Sequence, residues 1–301
     1  MGETMDSRDE SLEESIRREA ASRTAGSQPA PTAGGLVAAF VRRELVTTVL
    51  RPAFIYLALF VTLVIFGVAL IGGGYRTGYV AATIDLLVPL QLLIPLVAVA
   101  AGYTAIFRDE RRGELALIRT YPVSAWQIVT GVYLGRALGL VIVVAVPLLL
   151  LIGVIATTST PRLPGYAAHT GADSPVLYLR MVFLTVLFAL VVLAVIVAIS
   201  ALVRTTRAAI TGVGFTLVLL LFALDLALVF GFSLGIIGES SLATSLGFSP
   251  MSAYRGLVLE TAIVAADGTG PRTAAPLANL LSLFVWGVGS LIVAMLAVSR
   301  S

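Results

Sequence analysis

The chain has 301 residues, 58% hydrophobic and only 12% charged, with a formal net charge of +3. Its mean hydropathy is +1.00, more apolar surface than a soluble domain of this length can bury. A soluble fold is excluded and an integral membrane protein is indicated. Cysteine is absent and all 20 cationic residues are Arg. That removes disulfides, thiolate metal sites and a Cys nucleophile, and so small a net charge makes no case for nucleic acid.

Residues 1–35 are polar and of low complexity, with seven Asp and Glu against four Arg. No apolar run follows a basic start, so a signal peptide is not expected. The composition predicts a disordered acidic cytoplasmic tail, with a short helix over 11–21 as an option.

Residues 36–51 change character. Val41, Leu45 and Val49 recur at i+4, while Arg43, Thr47 and Arg51 form a polar line with Glu44 beside it. That spacing predicts a basic amphipathic helix suited to the headgroup region. Pro52 then marks the turn into the membrane.

Six apolar runs follow, at about 53–71, 86–107, 128–157, 177–203, 210–237 and 277–298. Each meets the roughly 20-residue length of a bilayer-crossing helix. Pro89, Pro95 and Pro147 lie inside runs and are expected to kink them. The predicted fold class is therefore all-α, a polytopic membrane domain over 36–301. It has six spans, an interfacial elbow helix and a cytoplasmic helix between the second and third spans.

Arg placement orients the bundle. With the N-terminus inside, ten Arg fall on cytoplasmic loops and ends and five on outer ones, besides four in the tail and Arg136 within the third run. This positive-inside bias puts both termini in the cytoplasm. The outer segments are then 72–85, 158–176 and 238–276. The last contains 248–260, which is expected to form a short amphipathic helix against the outer face. The inside link at 204–207 is very short, so the fourth and fifth spans should be antiparallel neighbours.

The longest charged island outside the tail is FRDERRGELALIRTYPVSAWQIVTGVYLG, residues 107–135. A charge at a helix centre in the bilayer costs roughly 2.5–3.5 kcal/mol, so this island must lie outside the membrane. Asp109 with Arg112, and Arg111 with Glu114, sit at i,i+3 and favour a helical turn. Pro122 ends that helix. Ser124 with Gln127 three residues on is a capping box for the third span, and Val123 with Ile128 supplies its hydrophobic staple.

The order Glu110, Gly113, Leu115, Pro122, Val123, Ser124 and then Gly131-Val-Tyr-Leu-Gly135 resembles the first cytoplasmic loop of type-2 ABC transporter permeases. VRREL at 41–45 resembles that family's elbow, and SPMSAYR at 249–255 resembles its segment between the fifth and sixth spans. The likeness covers about 36–300 and is nearest to the NosY-like permease of Nos copper-maturation transporters. Val132 departs from a common Lys, and Glu114 from a common Thr.

The resemblance implies a membrane permease subunit that moves a substrate, linked to copper-enzyme maturation, across the plasma membrane. It favours export or a mechanical task over import. The helix over 108–120 would be a coupling helix docking a separate P-loop ATPase, through Arg108, Glu110, Arg111, Gly113 and Glu114, with Pro122 closing it. Arg42, Arg43 and Glu44 would belong to the elbow. Implied partners are the ATPase, a second copy or related permease, an extracytoplasmic accessory protein and the lipid bilayer. No cofactor is expected on this chain; ATP and Mg would be bound by the partner subunit.

The residues agree that ATP chemistry needs another chain, since no Gly-rich phosphate loop ending in Lys exists here. Asp225, in LFALDLALVF, and Arg136 are candidate polar groups within the apolar runs. An intramembrane carboxylate is a functional candidate by default. An ion-coupled secondary transporter built on Asp225, with no ATPase, is the alternative. Arg136 can instead snorkel toward the cytoplasm. The single His169 and five scattered Met offer no convincing copper site, and no intramembrane enzyme motif is present.

Overall fold

The computed structural model describes residues 32–106, 123–158, 173–235, 245–264 and 275–300. The chain divides into two units, Met1–Leu36 and Val37–Ser301. Of the first, the described part is the start of a helix, where Thr32 Oγ1 accepts from the Gly35 N–H at 3.2 Å. The second holds all six apolar spans.

Helix α1 is Ala33–Glu44 and runs into a π-helical turn, Leu45–Val49. Arg51 adopts an extended conformation before Pro52 at the first position of α2, Pro52–Gly72. Proline there lacks only an N–H that would have been orphaned anyway. Gly73 closes α2 in the left-handed conformation, φ 78°, which a side chain would resist.

A tight turn, Gly74–Arg76, leads to α3, Tyr79–Gly102. The second span thus starts at Tyr79, before the predicted 86. Asp85 explains the difference: its Oδ2 accepts from the Gly74 N–H at 2.7 Å. The carboxylate that looked like the edge of the span is inside the helix and pinned to the preceding turn. The helix runs on through Pro89 and Pro95 and ends at Gly102 rather than 107.

Helix α4, Ala125–Thr158, is the third span, and α5, Pro175–Leu202, the fourth. Half of the predicted capping box is present at α4: the Ser124 N–H donates to Gln127 Oε1 at 2.9 Å. The fifth span is α6, Thr206–Val218, a π-helical turn at Leu219–Ala223, then α7, Leu224–Ser233. Only Val203–Thr205 separates it from α5, as the short link predicts. The sixth span is α9, Pro276–Arg300. Six helices among the described residues are long and apolar enough to cross a membrane. Among the described residues there are no strands. The protein is an all-α polytopic membrane protein.

Helix α5 is the axis of the bundle. Its apolar window is 72% buried, against 22% for α2 and 17% for each of the fifth and sixth spans. Helices α3, α4 and α9 all pack on α5, so the buried core runs along it from Tyr178 through Phe188 to Ile196.

Residues 248–260, expected as a short amphipathic helix, are helical over most of their length. Helix α8, Pro250–Val258, continued by a π-helical turn at Leu259–Val264, packs on α5 and α9. Pro250, Met251, Ala253, Tyr254, Leu257 and Val258 on it are all buried. The Tyr254 ring stacks on Phe188 at 4.8 Å, and its hydroxyl shares a 2.8 Å hydrogen bond with Thr185. Burial pushes the Tyr254 phenol pKa up, with the Thr185 bond pulling the other way. The amphipathic pattern is present, but its apolar face meets protein rather than lipid or water. Trp286 Nε1 donates to the Phe248 carbonyl at 3.0 Å, fixing the approach to α8.

Candidate functional site

The elbow is seated on the third span through a column of glycines. Gly131, Gly135 and Gly139 lie four residues apart, so they line one face of α4. A Cβ added at Gly131 would collide with Phe40. One at Gly135 would lie 2.5 Å from Glu44 Cβ, and one at Gly139 2.6 Å from Val49 Cγ2. Real side-chain carbons do not approach that closely, so α1 and its π-turn rest directly on the α4 backbone. Small residues at this spacing let two helices meet within a membrane protein.

That close approach brings two charges together inside. Arg136 Nε donates to Glu44 Oε2 at 3.0 Å, with side-chain exposures of 3% and 4%. Arg136 Nη1 also donates to the Ala101 carbonyl at 2.6 Å. Ala101 is in the last turn of α3, whose carbonyls lack intrahelical donors, so a cation there meets an orphan acceptor and the negative end of the helix dipole. Glu44 receives two further bonds, from Arg43 Nη2 to Oε1 at 3.2 Å and from Thr48 Oγ1 to Oε2 at 3.3 Å. One buried pair therefore ties α1, α3 and α4 at a single point.

The predicted elbow residues divide by exposure. Arg42 is exposed. Arg43 is half-buried, its guanidinium 5.6 Å from the Phe40 ring centre. Glu44, placed beside the polar line by the sequence, points inward. Arg136 does not snorkel out; it is buried against Glu44. The signal that could have revealed this was the glycine column, which marks a face of α4 reserved for another backbone.

The coupling-helix residues Arg108, Glu110, Arg111, Gly113, Glu114 and Pro122 lie outside the described residues, as do the tail over 1–31 and His169. The anchors on either side of 107–122 are described. Before it, the buried Ile106 N–H donates to Ser200 Oγ at 3.0 Å, near the end of α5. After it, Ser124 starts α4.

Asp225 and Arg136 do not form one polar site. Asp225 follows the π-turn of the fifth span and is served by α8. Ser252 Oγ donates to its Oδ1 at 2.9 Å, and Arg255 Nη2 stands 3.6 Å from its Oδ2. Arg255 Nη2 also donates to Ser252 Oγ at 3.2 Å. The carboxylate thus helps hold α8 against the fifth span. Among the described residues no group of three or more His, Asp or Glu gathers as metal ligands.

Six apolar helices, an amphipathic elbow seated on the third of them and a charged stretch of sequence between anchored ends define a polytopic membrane protein. Residues 18–301 match the family model described as ABC-2 family transporter protein. The chain belongs to that family, whose members are membrane subunits of ABC transporters. A search of curated proteins finds no match.

Proposed function

We propose that this chain is the transmembrane half of an ATP-driven transporter whose ATP and Mg are bound by a separate P-loop subunit. Two copies, or this chain and a related permease, pair in the plasma membrane with both termini cytoplasmic. Each docks one ATPase through the segment at 107–122 and the elbow. The finer reading, carried by resemblance to NosY-like permeases, is a cargo linked to copper-enzyme maturation, with an extracytoplasmic accessory protein as a further partner.

The observation that carries the reading is the buried Glu44–Arg136 pair. It couples the elbow to the last turn of α3 and to α4 about three turns from its start, on either side of 107–122. A displacement applied at that surface is passed to α3 and α4 together, because an interior packed this way is bistable rather than soft. Export or mechanical work by the outer segment fits such a lever.

The test is purification of the tagged chain in mild detergent from its native host. A P-loop ATPase should accompany it in near-equal amount and be lost with Glu110→Arg. Absence of any ATPase, under conditions that keep other membrane complexes whole, would overturn the proposal. It would bring forward the secondary transporter built on Asp225.

A further inference from the structure

A second basic feature lies where α5 and α9 end side by side. Helix α5 stops at Leu202 and α9 at Arg300. Between them is an open groove of about 380 Å³, within the span of about 300–1,000 Å³ usual for small-molecule sites. Its wall is apolar, from Leu202, Val293, Leu296 and Ala297, and its mouth carries Arg204 and Arg300. Among the described residues lining it none is acidic.

The wall is open to the surroundings. Leu202 is 55% exposed, Val293 42% and Leu296 49%. Val293 and Arg300 are seven residues apart on α9, about 10 Å along a helix axis. Apolar side chains therefore lie two turns deeper than the cations, in the order that an acyl chain and its headgroup require. Arg207 is exposed in the first turn of α6 beside the same end.

A helix end offers a simpler use for these cations, since both helices leave carbonyls without donors. Arg204 does engage another group of the protein. A guanidinium has five N–H donors in a planar fork that matches phosphate oxygens, and both side chains are exposed. A cap at either helix end makes no use of the apolar wall beside the cations, which an acyl chain would cover.

We propose that the groove between the ends of α5 and α9 binds one anionic glycerophospholipid. Arg204 and Arg300 hold its phosphate, and an acyl chain lies along Leu296 and Val293. Basic pockets between spans on the positively charged side of a membrane protein suit such headgroups. The site is separate from the elbow, and its occupancy does not depend on an ATPase.

The experiment is native mass spectrometry of the delipidated protein, titrated in parallel with phosphatidylglycerol and phosphatidylcholine of identical chains. A preference for phosphatidylglycerol of about fivefold per guanidinium is expected. Arg204→Gln with Arg300→Gln should abolish the preference, whereas Arg76→Gln, next to Tyr75 in the turn after α2, should leave it. If the double glutamine variant does not fold, Leu296→Trp serves instead: it fills the wall, keeps both charges and should lower lipid occupancy severalfold. Equal binding of the two lipids overturns the proposal. So does a preference that survives the glutamine pair or an occupancy that survives Leu296→Trp.

Discussion

Arg136 and Glu44, 92 positions apart in sequence, meet at 3.0 Å with almost no solvent access. A buried ion pair of this kind is poor evidence of net stability, because desolvating both charges offsets their attraction. Its consequence is positional. Removing one partner strands the other, so α1 cannot leave α4 without exposing a charge to the core.

The first prediction concerns that asymmetry. Arg136→Ala or Glu44→Ala should each cost about 3–5 kcal/mol. The paired replacement Glu44→Gln with Arg136→Met should recover most of the loss. Thermal unfolding of the detergent-solubilised Glu44→Gln, Arg136→Met and doubly substituted proteins would read this as a large coupling in a double-mutant cycle. Independent, additive losses would mean that the two residues do not act as a pair.

The glycine column gives a contrast between two sites on one helix. Gly135→Ala places a Cβ 2.5 Å from Glu44 Cβ, while at Gly153 nothing lies within 4 Å. Overpacking at Gly135 should destabilise by about 1–3 kcal/mol. Gly153→Ala should be neutral or stabilising by up to about 1 kcal/mol through helix propensity. Unfolding midpoints of the two variants check the ordering.

Asp225 provides a test between transport mechanisms. Asp225→Asn keeps an acceptor for Ser252 and removes only a partly exposed, 3.6 Å ion pair with Arg255. The stability cost should be below about 1 kcal/mol. ATP turnover of the reconstituted complex should stay near wild type. A proton- or cation-coupled carrier would instead lose its ion dependence entirely.

Helix α8 should depend on its buried hydroxyl. Tyr254→Phe keeps the stacking on Phe188 but removes the bond to Thr185, whose Oγ1 also donates to the Met181 carbonyl at 2.8 Å. Because Thr185 keeps that partner, the loss should be near the ordinary hydrogen-bond value of about 1 kcal/mol. Tyr254→Ala, which also removes the stacked ring, should cost about 3–5 kcal/mol. The two midpoints, compared in one detergent, check the difference.

Much of this fold was legible in the sequence because a bilayer imposes one length and one composition on every span. The start of the second span moved at a polar residue whose partner the local pattern does not show. Asp85 reads as the edge of a span, whereas its carboxylate accepts from the Gly74 N–H inside the helix, and Phe248–Glu260 is amphipathic without declaring what its apolar face meets. Arg136 read as a snorkelling cation since nothing local names Glu44 as its partner. The glycines at 131, 135 and 139 were visible throughout; only their common face on α4 gives them meaning. Asp225 was found as a candidate, but a single chain pattern could not tell a coupling site from a clasp for α8.

The measurement closest to the central claim follows the elbow and the third span during ATP turnover. The chain has no cysteine, so spin labels can be placed at the exposed positions Arg42 and Leu134, with a second pair at Arg42 and Leu296. Distances would be recorded by pulsed electron paramagnetic resonance in the reconstituted complex, with and without trapped nucleotide. The Arg42–Leu134 distance should stay constant while Arg42–Leu296 changes, as expected if the Glu44–Arg136 pair moves the elbow and α4 as one body. A nucleotide-dependent change between Arg42 and Leu134, with the pair intact, would contradict it.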